Sequence, residues 1–450
     1  MINKLSYKTA GLDADYWSQC AVNNGTYLDC PIVEHLNRTF VVAVQNPSMQ
    51  AVYYQRIKVP HSKYSAQVWS PTANAFVAVN SSVLCHAHAF ENGVKITDCD
   101  MWIDNKVDYK SVSWIQVVYD PFTPVNPTSG LKKFEYQTET SRGSLFKVFD
   151  DDGTQRYMAF QVRYYVSDDG NDNYPNTDNV PSGAYIFKPA KGMQYSLPYV
   201  SVQSYDVQYG GPFMQQMNIY YTDSQSNRSA RVIMRAFAKN PAIEVEVRLD
   251  PIPASATGTE VTVNFFAYNM DTNNTFYTDS NAMDMQKRIL NYREDWNLTT
   301  NQNVSANYYP INQAIVITDE AKNLSFVVTN DRSQGGGVFD NSRVEFMHNR
   351  RLFLDDYRGV EEPLSENGTF GNGITIQATY TLHFVNKSKT YSKQRFQQLV
   401  TDDPLQYLFA FNYTIYNVTA APSQSANNND HILQSSNGVP APIKIQTYPL

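Results

Sequence analysis

The stretch Ile243-Glu244-Val245-Glu246-Val247-Arg248-Leu249 alternates apolar and charged residues without a break. A β-strand turns successive side chains to opposite faces, so Ile243, Val245, Val247 and Leu249 share one face and Glu244, Glu246 and Arg248 the other. That is an antiparallel strand with one face in a core. The same period-two signal recurs over 40–44, 113–119, 158–166, 217–221, 231–237, 261–268, 314–317, 325–328 and 374–385. Turn-forming pairs punctuate the runs, among them Asn46-Pro47, Asp120-Pro121, Asp152-Gly153, Asn240-Pro241, Asp250-Pro251 and Asn367-Gly368. The spacing predicts an all-β chain of stacked antiparallel sheets. Helical spacing is confined to 283–290 and 393–400, both read as short connectors.

The chain is 450 residues long, which leaves no difficulty in burying a core. Only 18% of its residues are charged, and 32 Tyr with 23 Phe supply most of the aromatic share, a composition opposed to disorder and to coiled coils. A net charge of −7 and no Lys/Arg cluster leave phosphate backbones without a docking field, so nucleic acid is excluded as a partner. No window is apolar for long enough to span a membrane, and Met1-Ile2-Asn3-Lys4-Leu5-Ser6-Tyr7-Lys8 has no apolar segment after its charges, so no signal peptide is read. The expected division is a short segment over 1–30, a small β domain over 31–125, a large β region over 126–420 and a loop and tail over 421–450. The Pro/Thr/Asn-rich stretch 120–127 supplies the linker.

Twelve Asn-x-Ser/Thr sequons stand at Asn24, Asn37, Asn80, Asn227, Asn273, Asn297, Asn303, Asn323, Asn367, Asn386, Asn412 and Asn417, whereas Pro127 spoils Asn126. This density implies passage through the secretory pathway. A sequon-rich chain with no entry signal is expected to be the downstream piece of a longer precursor. Four cysteines agree with an oxidising compartment; the simplest of their three connectivities pairs Cys20 with Cys30 and Cys85 with Cys99 across hairpin-like loops.

No nucleophile elbow, P-loop, HExxH or dinucleotide fingerprint is present. His86 and His88 on one strand face, with Asp100 or Asp104 across a hairpin, form the nearest approach to a metal set, but the reading as two polar strand residues beside a disulfide needs no metal and is preferred. The acidic runs 150–152 and 168–172 lack a calcium-loop register and read as solvated turns. Asp355-Asp356 and Glu361-Glu362 bracket Arg358; a charged loop held by Arg350, Arg351 and Arg358 through carboxylate pairs accounts for them without catalysis.

Ordered motifs carry a more specific message. Phe276-Tyr277-Thr278-Asp279-Ser280-Asn281, Asn307-Tyr308-Tyr309-Pro310, Asn330-Asp331-Arg332-Ser333-Gln334-Gly335-Gly336, Arg350-Arg351-Leu352 and Asp355-Asp356-Tyr357-Arg358-Gly359-Val360 follow one another, with Ser182-Gly183-Ala184-Tyr185-Ile186-Phe187-Lys188-Pro189 upstream. Together they resemble the C-terminal region of family 38 glycoside hydrolases, most closely those of the lysosomal-type α-mannosidases, over roughly residues 15 to 400. Cys20 to Cys30, followed by Pro31, is similar to the start of that family's first β domain.

The resemblance implies a small β-sandwich followed by a large antiparallel supersandwich of the galactose-mutarotase-like kind, with residues 1–30 holding the end of a helical-bundle segment. It implies retaining hydrolysis of terminal α-mannosides in a lysosome, vacuole-like compartment or secretion, with α-mannoside glycans as substrates. The family's zinc is held by two His and two Asp residues of an upstream domain, one Asp being the nucleophile, and the His-His-Asp motif of that domain is absent from this sequence. The chain itself is therefore expected to bind no cofactor and to be inactive alone, completed by an upstream zinc domain in cis or as a processed subunit. Tyr185 resembles the family tyrosine whose hydroxyl points at nucleophile and substrate, and Arg358 an arginine lining that pocket; Asp355 and Asp356 are expected to position the arginine's loop. The rival expectation is a non-catalytic glycan-binding or structural module, stacking sugars on Trp69, Trp296, Tyr308 or Tyr309.

Overall fold

Each alternating run forms a strand in the structure, a computed structural model of the chain. It describes residues 38–410 apart from 90–94, 123–128, 151, 172–178, 226, 280, 299–301 and 369–370, with the backbone alone of Leu5–Ser6, Tyr16–Trp17, Ala21–Asn23 and Tyr27–Asp29 and of strand residues 86–89, 95–98 and 410. Of the segment 1–30, expected to hold the end of a helical bundle, only those four short pieces are described, and all are β-strands; the 120–127 linker beyond Phe122 and the 421–450 tail lie outside the described residues.

The chain divides into two units, one comprising 1–88, 97–126 and 403–450, the other 89–96 and 127–402. In the first, a five-stranded sheet in the order Gln406–Ala410, Phe40–Gln45, Val112–Tyr119, Tyr64–Ser70 and Ala75–Ala78 accompanies a three-stranded one of Val52–Val59, Lys95–Val107 and Ser81–Ala89. Phe40, Val42, Val44, Ile115 and Val117 pack with Ile57, Val59, Met101 and Ile103 in a shared core. The strand Gln406–Ala410 pairs with Phe40–Gln45, whereas the expected division placed it in the large region. A Cys85–Cys99 disulfide links two strands of the smaller sheet. Asp100, a candidate third metal ligand, is buried between Arg56 and Lys58 at 2.7 and 3.0 Å; the His86 and His88 side chains lie outside the described residues.

The second unit is a sandwich of an eight-stranded and a nine-stranded antiparallel sheet. The nine-stranded sheet runs Ser201–Gly210, Met214–Thr222, Ser229–Phe237, Asn240–Leu249, Ile376–Asn386, Leu324–Asn330, Ala314–Asp319, Thr275–Thr278 and Gln286–Ile289. At the centre of the other, Gln155–Val166, Gly258–Ala267 and Arg343–Leu352 lie side by side. Their inward residues Phe160, Val162, Val261, Val263, Phe265, Val344 and Phe346 meet Met217, Ile219, Val232, Met234, Val245, Val247 and Tyr380 of the facing sheet. Helical spacing proves genuine at 393–400, inside the helix Thr390–Asp402, but 286–289 forms an edge strand paired with Thr275–Thr278. Apolar residues at three- and four-residue intervals there serve a strand because its ladder partner is already in place.

Gly258–Ala267 is buried along its whole length, so its second face, bearing Glu260, Thr262 and Asn264, is covered too. A bulge in Arg343–Leu352 decides what reaches that face: Thr262 is paired with Met347 but Val261 with Asn349, so His348 is left out of register. Glu345 and Arg350, five residues apart, would point to opposite faces of a regular strand; the extra residue puts both on the polar side. His348 itself turns into the core, its Nδ1 3.1 Å from the Tyr380 hydroxyl.

Burial, reinforced by Arg332, lowers the His348 pKa from 6.5 to about 4. The folded protein keeps this imidazole neutral while the unfolded chain protonates it near 6.5, so its contribution is complete above that value and is lost as pH falls towards 4. The whole shift corresponds to about 3 kcal/mol. Urea unfolding at about pH 7 and about pH 4.5 should show the wild type losing about 2–3 kcal/mol more than His348→Gln on acidification. Equal losses would refute the assignment.

Candidate functional site

Between Val166 and the short strand Leu197–Pro198 the described residues, 167–171 and 179–196, run over the covered polar face of the eight-stranded sheet. Their course is set by buried charge and by hydrogen bonds. Asp168 pairs with Lys188 at 2.8 Å and accepts the Gly170 N–H, both side chains being almost wholly buried, so Asp168 is no solvated turn residue. The desolvation cost of burying this pair is offset because Lys188 also donates to the Val180 carbonyl, giving the ammonium two partners away from water. Asp150 is likewise buried and paired with Arg156, while Asp152 is exposed.

Ser182 hydroxyl donates to Glu260 Oε1 at 2.6 Å, and Arg350 Nε holds Glu260 Oε2 at 2.7 Å while its Nη2 reaches the Ile186 carbonyl at 2.7 Å. A second buried carboxylate, Glu345, accepts from Tyr165 and Ser196, each at 2.8 Å, from Tyr308 at 2.5 Å and from Arg343 at 3.3 Å. Burial and the neighbouring Glu345 charge push both tyrosine pKa values well above 10, so both phenols stay protonated donors.

On this footing the two loops carrying the expected site residues meet at Asp356. Its carboxylate is fully buried; Oδ2 accepts the Tyr185 and Ile186 N–H groups at 2.7 and 3.0 Å, and Oδ1 accepts that of Arg358 at 3.2 Å. Gly183 lies against the same side chain so closely that a Cβ there would stand 2.5 Å from Asp356 Cβ, which excludes any other residue without movement. Tyr357, next in the chain, is held at φ +56°, a conformation that costs a bulky residue about 1–2 kcal/mol and persists when its surroundings over-determine it. The Asp356 turn supplies that constraint.

The result is a fixed, open platform. Tyr185 is 68% exposed and Tyr357 72%, and Arg358 is exposed beside them, while Asp355 is partly buried with Oδ1 lacking a hydrogen-bond partner among the described residues. A core role for Tyr185 is thereby ruled out. Two of the three arginines expected to hold this loop are engaged elsewhere: Arg350 pairs with Glu260, and Arg351 donates to the Ile252 and Asn372 carbonyls at 2.7 and 2.6 Å. Sequence reasoning missed Glu260, whose only signal was a charge beside an apolar run, and gave Asp168 and Lys188 no part in each other's burial.

Other expected residues divide plainly. The Asn side chains at 80, 227, 273, 297, 303, 323, 367 and 386 are all exposed, as glycosylation requires, while Asn24, Asn37, Asn412 and Asn417, with Cys20 and Cys30, lie outside the described residues. Of the four candidate stacking rings only Trp296 is open to solvent, at 63%. Tyr308 is tied to Glu345, Tyr309 lies under Arg288 and Arg293, and Trp69 packs on Phe76. Among the described residues no three His, Cys, Asp or Glu side chains are placed to hold a metal ion, and Asp356 is engaged by backbone N–H groups. No described helix is long and apolar enough to cross a membrane.

Comparison with known proteins places this arrangement. Residues 133–358, which include both loops, match the model of the glycosyl hydrolases family 38 C-terminal domain. An alpha-mannosidase of Arabidopsis thaliana is 35% identical over 56% of the chain and 24% of its own length. The lysosomal alpha-mannosidase of Homo sapiens is 36% identical over 43% and 18%, and that of Dictyostelium discoideum 29% identical over 69% and 28%. The chain thus matches between 18% and 28% of the length of these relatives. A crystal structure of an alpha-mannosidase from Enterococcus faecalis shares the fold, with a TM-score of 0.52 and 10% identity over 87% of this chain and 47% of that one. The chain belongs to glycosyl hydrolases family 38, whose C-terminal domain it carries.

Proposed function

We propose that the chain is the C-terminal β portion of a lysosomal-type α-mannosidase, lending Tyr185 and Arg358 to a substrate pocket whose nucleophile and zinc belong to an upstream domain. The observation that carries this reading is the convergence of the two loops on Asp356, which brings together the backbones that bear an exposed tyrosine and an exposed arginine. In this reading the small and large sandwiches are successive β domains of the enzyme, partnered in cis or as a processed subunit. The exposed sequons and the lysosomal relatives support a lysosome or vacuole-like compartment.

Retaining hydrolysis displaces the leaving oxygen from the anomeric carbon with a carboxylate, then displaces the carboxylate with water. The contribution of this chain is orientation and charge. A Tyr185 hydroxyl donating to the nucleophilic carboxylate keeps it ionised and aligned. Arg358 presents planar donors to substrate hydroxyls or to neighbouring carboxylates, and its fixed charge offsets theirs. Asp356 is a positioning residue: with both oxygens occupied by backbone N–H groups it has no part in proton transfer. The glycan-module alternative rests on Trp296 and on no second exposed ring among the four candidates.

In the complete enzyme Tyr185→Phe or Arg358→Ala should each lower kcat/KM at least tenfold, about 1.4 kcal/mol. The 450-residue chain alone should not hydrolyse an aryl α-mannoside; chelator-sensitive turnover by the pure chain, or wild-type kinetics in both variants, would overturn the proposal. Asp356→Ala should destabilise the chain by about 2–3 kcal/mol, the order expected when a charged acceptor is removed from buried donors. Hydrogen exchange at the Tyr185 and Ile186 amides should accelerate more than elsewhere, and uniform acceleration would show a general loss of stability instead.

A further inference from the structure

The proposed reaction makes no use of a recess that lies in the large unit. It opens where the turn between Met214–Thr222 and Ser229–Phe237, the crossover after Asn240–Leu249 and the loop bearing Asn372 come together, and it encloses about 490 Å³. Asp223, Asn227, Arg228, Asp250, Pro251 and Asn372 line it. The crossover leads to Gly258, which pairs with Leu352, and Phe353 N–H donates to the Thr257 carbonyl. The recess therefore lies at the same end of the sandwich as the Asp356 loop.

Its chemistry is unusual for a structural crevice. The guanidinium of Arg228 is held over two rings, 5.4 Å from the centre of Tyr164 and 5.0 Å from that of Tyr199, which fixes it without engaging its N–H groups. The nearest Asp223 oxygen, Oδ2, stands 3.9 Å from Arg228 Nε, too far for a hydrogen bond. Asp223 Oδ1 meanwhile accepts the Gln225 and Asn227 N–H groups at 3.2 and 2.8 Å, which locks the carboxylate with Oδ2 turned to the guanidinium. A rigid acceptor and rigid donors thus stand side by side, unsatisfied by one another.

We infer that this recess is a saccharide-binding site in which Asp223 accepts from, and Arg228 donates to, neighbouring hydroxyls of one sugar ring. Asp223 and Asp250 stand against Arg228 and against Arg248, whose Nε is 3.8 Å from Asp250 Oδ1, so no excess positive charge draws an anion, and the proline beside them offers an apolar wall to ring C–H groups. The volume lies within the range of small-molecule sites. The sugar has two possible sources: the chain's own glycan, since Asn227 is a sequon and its Nδ2 lies at the rim donating to Gln225 Oε1 at 3.0 Å, or a glycan of another molecule.

The test uses the 450-residue chain, prepared with and without glycosylation, titrated with methyl α-mannopyranoside and with N,N′-diacetylchitobiose. At least one sugar should bind the unglycosylated chain with a Kd of about 10 mM or tighter. Arg228→Met should weaken it at least tenfold, and Asn372→Ala, which spares the carbonyl used by Arg351, severalfold. Chitobiose bound only by the unglycosylated chain assigns the site to the Asn227 glycan; mannoside bound by both preparations assigns it to a foreign glycan. No binding of either sugar at about 10 mM, or wild-type binding in both variants, overturns the inference. So does binding that disappears in Tyr185→Phe, which would move the titrated site to the Asp356 platform.

Discussion

A strand with protein on both faces must find a partner for every polar group it carries, because an unpaired buried charge costs several kcal/mol. Gly258–Ala267 is such a strand, and Glu260 with the neighbouring Glu345 sets the terms for everything laid over it. Residues 182–196 are held there by serving those carboxylates: Ser182 meets Glu260, Ser196 meets Glu345, and Arg350 bridges from Glu260 to the Ile186 backbone. The candidate site is one step further out. The backbone that bears its exposed phenol is fixed because the residues on either side of it are anchored in the dry layer below.

This layering explains a division of labour between carboxylates. Glu260, Glu345 and Asp356 are all fully buried and all engaged by several donors, which suits them to fixing geometry. Asp355 and the Asp223 Oδ2 atom are under-used by comparison, one lacking a partner at Oδ1 and the other facing a guanidinium beyond bonding distance. Groups left incomplete in the free chain are the ones that a ligand or partner domain can complete. Both incomplete groups stand at the same end of the large sandwich.

Much of the fold was legible because a half-buried strand announces itself by alternation, as at 243–249. Arg343–Leu352 escaped because the bulge at His348 breaks the alternation that would have revealed it, and Gln334–Phe339 because three glycines carry no pattern. Gly258–Ala267 shows the converse: 261–268 was read as half exposed from its polar residues, which are in fact buried and paired. The return of Gln406–Ala410 to the small sheet has no local signature, since its partner lies more than three hundred residues earlier. For the site, Tyr185 and Arg358 were visible only through resemblance. What brings them together, an Asp356 carboxylate accepting backbone N–H groups from a loop some 170 residues away, leaves no trace in spacing or composition.

The bulge at His348 also bears on how this chain can change. Removing one residue there would restore an unbroken ladder with Gly258–Ala267 and, judged by regularity, improve the sheet. It would also invert the parity of everything beyond it, sending Arg350 into the hydrocarbon core and withdrawing the cation that joins Glu260 to the Ile186 carbonyl. Length in this strand is therefore constrained more tightly than residue identity: side chains can be exchanged one at a time, but an odd insertion or deletion has no intermediate that keeps both halves of the strand facing the right way.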